Sequence, residues 1–150
     1  MRKADEERAN KEVLEGMKRR SRPNRREYPD RTWRYYVERW KGFIEEISDG
    51  YKLSIYDYTN DLSVREILIE IEQVLSPEGQ AEFRERLSPL DARFLELTTD
   101  FAVNLIATPR ELEHPVFRHL YRKVPKNMKE ELRRNLEEWR EVVNRERRTD

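Results

Sequence analysis

Between residues 33 and 47 the apolar side chains Trp33, Tyr36, Val37, Trp40, Ile44 and Ile47 recur at intervals of three and four. That spacing lines one face of a 3.6-residue helix, whereas a strand would need a period of two. Two tryptophans on one stripe commit this helix to a core. Asp30, which precedes it, is a natural N-cap because its carboxylate can accept from the free N–H groups of the first turn. Gly50 follows the last periodic residue and suits a left-handed C-terminal cap. The pattern predicts a helix over about 31–49.

Further punctuation supports an all-α chain. "LSVREI", 62–67, reads as a capping box, with Ser63 at the N-cap, Glu66 three residues on, and Leu62 and Ile67 as a hydrophobic staple. It predicts a helix to about Leu75 with Val64, Leu68, Ile71 and Leu75 inward. "SPEG", "SPLD" and "TPRE" each set Ser or Thr before a proline at the first helical position. Ser76, Ser88 and Thr108 are thus expected to start three helices. The one after Pro89 carries Leu90, Phe94, Leu97, Phe101 and Leu105 through about Ala107. "HPVFRHLYRKVP" suggests one or two helical turns on the core. Met128, Leu132, Leu136, Trp139 and Val143 predict a last helix over about 127–147. Only "YKLSIYDY", 51–58, alternates with period two, and it is expected to be an extended connector.

The fold expected is a single-domain irregular helical bundle over 28–150, with about four main helices plus short proline-started ones. Residues 1–27 are expected to form a flexible basic arm. In that arm only Val13, Leu14 and Met17 offer an apolar face, and "KRRSRPNRR" holds six basic residues in nine. Charged residues make up 41% of the 150, with four glycines, which suits solvated helices better than a sandwich or barrel. The formal net charge is zero, but it is unevenly spread. Residues 1–44 carry 14 basic and 8 acidic side chains, 45–113 carry 6 and 16, and 114–150 carry 11 and 7. The local fields therefore say more about partners than the overall balance does.

Several chemistries are absent from the sequence. There is no cysteine, so disulfides and thiolate sites are excluded. No apolar run reaches the length of a signal or a membrane span, and a soluble, cytoplasmic protein is expected. "ELEH", 111–114, has the Glu-x-x-His spacing of di-iron bundles. Those need the motif twice, however, and the chain has two histidines; no metal or cofactor is expected, and His114 is read as a helix-end residue. No phosphate cradle or nucleophile elbow is present, so the chain reads as non-enzymatic, the alternative being an acid–base enzyme that uses Asp57, Asp61 or Asp91.

What remains is recognition. Tyr56, Asp57, Tyr58 and Asp61 form the candidate partner-binding set, since tyrosines flanked by acids resemble interface hot spots. In the extended reading Leu53 and Ile55 face the core while Tyr56 and Tyr58 stay accessible. The bland reading instead packs Tyr51 and one of Tyr56 or Tyr58 on Trp33 and Trp40, with Asn60 and Asp61 as turn-formers. The function expected is a protein-binding module whose acidic middle meets a basic protein, an inhibitor of the immunity or antitoxin kind being its concrete form. The alternative is a nucleic-acid-associated protein using Lys18, Arg19, Arg20, Arg22, Arg25 and Arg26 with the C-terminal helix.

Overall fold

The computed structural model describes residues 33–149, with side chains through Arg147. The predicted arm, its six basic residues and the Asp30 cap lie outside the described residues. Four helices make up most of the described chain: α1 (Trp33–Ser48), α2 (Ile55–Val74), α3 (Pro77–Leu97) and α4 (Glu130–Thr149). Between α3 and α4 come two short strands, β1 (Thr98–Asp100) and β2 (Lys123–Pro125), and a 3-10 turn over Leu120–Arg122. The protein is all-α with this small antiparallel ribbon, paired Thr98 to Pro125 and Asp100 to Lys123.

α1 buries the predicted stripe, and Phe43 with it. Trp33 meets Phe83 at 5.6 Å and Trp40 meets Phe94 at 4.7 Å, so α1 and α3 run in the same direction. α2 runs against both, with Phe43 beside Tyr58 at 5.5 Å. An ion pair with a buried arginine crosses this three-helix core. Arg65 of α2 is 2% exposed. It donates from Nε and Nη2 to the two Asp91 oxygens of α3, both at 3.0 Å. Trp40 of α1 donates its indole N–H to the same carboxylate at 3.0 Å. The guanidinium lies 4.7 Å from the Phe117 ring centre. A buried charge needs a partner and satisfied hydrogen bonds, and here the same contacts join all three helices.

α1 ends as expected. Gly50 has φ +95°, and a Cβ there would come within 3.1 Å of Lys129 Cε, so only glycine fits the turn without strain. The connector that follows does not match the extended reading. Only Tyr51 pairs as a strand would, bridging Met128. Ser54 then caps a helix that begins eight residues before the predicted capping box and runs on through it. The Ser54 hydroxyl accepts from Asp57 N–H and donates to the Asp57 carboxylate at 2.8 Å. This S-x-x-D pair does the work assigned to Ser63 and Glu66. Ser63 sits inside the helix, its hydroxyl donating to the Asn60 carbonyl. The helical period then sorts the segment differently from the alternation. Tyr58 is fully buried and Leu53 is 47% exposed, the inverse of what the strand reading placed there. Ile55 is half-buried against the core.

Two further starts are corrected. Ser88 and Pro89 lie within the unbroken α3. Phe83, Leu87, Leu90 and Phe94 keep one helical face across the proline. Pro89 itself is on the exposed side, where the carbonyl it leaves unbonded can face water. The Ser88 hydroxyl donates to the Arg84 carbonyl at 2.7 Å instead of capping. α3 stops at Leu97 rather than Ala107, because Thr98 bonds back to the Phe94 carbonyl at 2.8 Å and the chain leaves to pair with β2. Residues 109–113 after Thr108 are not helical. Their anchor is Arg110, whose side chain reaches Glu66 at 3.1 Å and Tyr121 at 3.3 Å. The last helix starts at Glu130, close to its predicted place.

Candidate partner-binding groove

The first turn of α2 stands at the edge of the core. Its position is fixed from α4, where Asn135 Oδ1 accepts from Ile55 N–H at 3.0 Å, and from the Tyr51 backbone, which accepts from Lys129 N–H at 2.8 Å. The loop after β1 closes the third side. Leu105 N–H bonds the Tyr121 carbonyl at 2.8 Å, and Trp139 donates its indole N–H to the Asn104 carbonyl at 2.6 Å. These bonds leave a groove of about 630 Å³ between the three elements. Ile55, Tyr56 and Thr59 line it from α2, Leu105, Ile106 and Ala107 from the loop, and Asn135, Glu138, Trp139 and Val142 from α4. Glu138 is the one charged lining residue. Two large apolar side chains stand out at the groove, Tyr56 at 81% and Val142 at 40% exposed.

The helix separates the four residues singled out by sequence. At 100° per residue, Tyr56 points to the groove while Asp57 and Asp61 turn to the opposite flank of α2. Tyr58 belongs to the core, where its hydroxyl donates to the Lys123 carbonyl at 2.6 Å. Tyr51 is buried beside it, 5.2 Å away, and both rings pack on Phe43 rather than on the tryptophans. Asp57 spends one oxygen on the Ser54 cap. Asp61 accepts from the Tyr51 hydroxyl at 2.8 Å and lies 4.0 Å from Arg39.

The flank carrying Asp57 and Asp61 is electrostatically crowded. Burial holds the Asp61 carboxyl above the usual carboxylate range, and Asp57 adds to the shift, against the opposing pull of the Tyr51 hydroxyl and Arg39. Burial and then the Asp61 charge raise Glu46 as well. Beside these acids a notch of about 230 Å³ is lined by Glu46, Asp49, Gly50, Lys52 and Leu53. The first turn of α2 thus divides an apolar groove from an acidic flank, and Tyr56 stands on the groove side.

Of the four residues singled out by sequence only Tyr56 lines the groove, and Trp139, Val142 and Ile106, which line it as well, were not singled out. The available signal was Val142, which falls outside the Leu132–Leu136–Trp139–Val143 stripe and so had no place in the core. Among the described residues no three acids or histidines gather in a way that could hold a metal ion. In "ELEH", Glu111 pairs with Arg118 at 2.9 Å, and His114 lies in irregular chain just ahead of the turn over 115–119 rather than at a helix end. Among the described residues no helix is long and apolar enough to cross a membrane. Compared with known proteins, the chain matches no family model, no curated protein and no solved structure.

Proposed function

We propose that the protein is a non-enzymatic binding module that takes an apolar segment of a protein partner in the groove between α2, the 105–107 loop and α4. The observation that carries this reading is the pairing of Tyr56 and Val142, both exposed, across a groove with one charged wall residue. Aromatic side chains over apolar pockets are typical anchors of protein interfaces. The partner is basic next to the segment it inserts. Lys or Arg arriving at the flank would relieve the crowding among Glu46, Asp57 and Asp61, steer approach and fix register. An inhibitor of the immunity or antitoxin kind, masking a basic protein surface, is the concrete form of this function.

A photo-crosslinking amino acid at position 56, in cells making the protein, tests it. The same substitution at Glu96, exposed on α3, is the control. The expected result is a discrete adduct to a basic protein from position 56 that fades when Val142 is changed to Ser. Adducts of equal pattern from both positions, or adducts only to nucleic acid, would reject the reading.

A further inference from the structure

His114 lies where the chain bends between Leu112 and Phe117. Its Nδ1 accepts from the backbone N–H groups of Val116 and Phe117, both at 3.1 Å. A nitrogen that accepts carries no proton, so the ring is neutral with its hydrogen on Nε2. The two bonds close the turn that sends Phe117 into the core. There its ring sits fully buried, 5.9 Å from Phe94 and 6.3 Å from Trp40, beneath the Arg65 guanidinium. The His114 ring packs on its outer side at 5.2 Å.

We propose that His114 is a pH-operated latch on this turn, which holds Phe117 in the core while the imidazole is neutral and releases the 112–118 segment when Nδ1 takes a proton. Protonation removes both acceptor bonds and aims a third N–H at two others. It also places a second cation beside Arg65. The charges facing the ring come from two helices, Arg65 and Glu72 from α2 and Asp91 from α3. Both acids are already engaged, Glu72 by Arg84 at 2.6 Å and Asp91 by Arg65 at 3.0 Å. In the ring's own segment Glu111 is taken by Arg118. Asp91 and Glu72 still favour an imidazolium, but by less than burial and the Arg65 charge disfavour it. Burial, and next the Arg65 charge, lower the His114 pKa from its ordinary 6.5. Because the closed state binds the proton less well than the open one, the latch has its full strength above pH 6.5 and loses it as pH falls toward the lower closed-state value. The wall of the groove stays in place, since Leu105 is held separately by the Tyr121 carbonyl. Release instead uncovers Arg65, whose Nη1 has no acceptor among the described residues in the closed state.

Hydrogen exchange of the full chain, read residue by residue by NMR and corrected for intrinsic rates, tests the latch. Protection of the Val116 and Phe117 amides should fall by up to about tenfold per pH unit below the ordinary histidine pKa, while amides in the middle of α2 hold theirs. His114→Asn supplies an oxygen at the Nδ1 position that cannot be protonated, and its two amides should stay protected throughout. Equal protection of these amides in the wild type at pH 7.5 and pH 5 would overturn the proposal, and so would the same acid loss in His114→Asn. Should that variant not fold, titration of the wild-type ring decides: a His114 that protonates while both amides stay protected sinks the latch.

Discussion

At the scale of single residues, Asp91 holds the most consequential position in the core. Its carboxylate receives two bonds from Arg65 and one from Trp40. Asp91→Ala leaves a buried guanidinium without its counter-charge, and urea denaturation should show a loss of about 3–5 kcal/mol. Arg65→Met in the Asp91→Ala background should restore a large part of it, because the unpaired charge is then gone even though the Trp40 N–H still lacks an acceptor. A double variant less stable than the single would mean that the Arg65 stem, not its charge, is what the core needs. Glu46 makes the opposite case. Its carboxyl is raised by burial and by Asp61, so the native state binds its proton more tightly than the unfolded chain does. The ionised form therefore weighs against folding above that raised pKa, and the penalty fades as pH falls through it. Glu46→Gln should raise the urea midpoint at pH 7, with the gain gone below about pH 4, where the carboxyl is protonated in both states. A gain independent of pH would assign the effect to something other than charge.

At the scale of elements, the start of α2 separates two readings of one segment. Ser54→Ala removes the reciprocal bonds with Asp57 and should lower stability by about 0.5–2 kcal/mol. Ser63→Ala, in mid-helix, should change it by a few tenths of a kcal/mol at most. Denaturation midpoints in the reverse order would return the helix start to Ser63. Both serines precede an acid by three residues, and the local motif alone does not rank them. What ranks them is tertiary: Asn135, eighty positions on, takes the Ile55 N–H, and Tyr51 pairs with Met128 just ahead of α4. The Ser-Pro signals show the same limit. Ser76 does cap a helix, its hydroxyl accepting from Gly79 N–H, while Ser88 does not, although both stand before proline. The Phe83–Leu87–Leu90–Phe94 spacing carried the information that α3 continues, and it outweighs the proline because it buries rings on both sides of it. The stripes of α1 and α4 were legible because each is long, strictly periodic and free of proline. The β1–β2 ribbon was not, since its pairing depends on residues twenty-three to twenty-seven apart whose strand character is only three residues long.

At the scale of the molecule, the groove is notable because Tyr56 and Val142 on its rim stand outside the buried core. α4 is docked by Leu132 and Leu136, both buried, and by the Trp139 indole on the Asn104 carbonyl. Leu136→Ala should therefore cost about 2–5 kcal/mol, as for any large buried aliphatic cut to alanine. Tyr56 and Val142 lie outward, so removing them takes little surface back into water. Exposed apolar residues set around a groove point to a use other than stability. The sharpest comparison is the double variant Tyr56→Ser with Val142→Ser. Its denaturation midpoint should match that of the parent to within about 0.5 kcal/mol, the usual range for surface positions. Its crosslinked partner should be lost, tested from a probe at position 106 on the untouched wall. If the double variant instead unfolds the protein, the two residues are part of the core, and the groove is a seam between α2 and α4 rather than a place for a partner. If it folds normally and keeps the adduct from position 106, the partner still sits in the groove, and Tyr56 and Val142 are not its anchors.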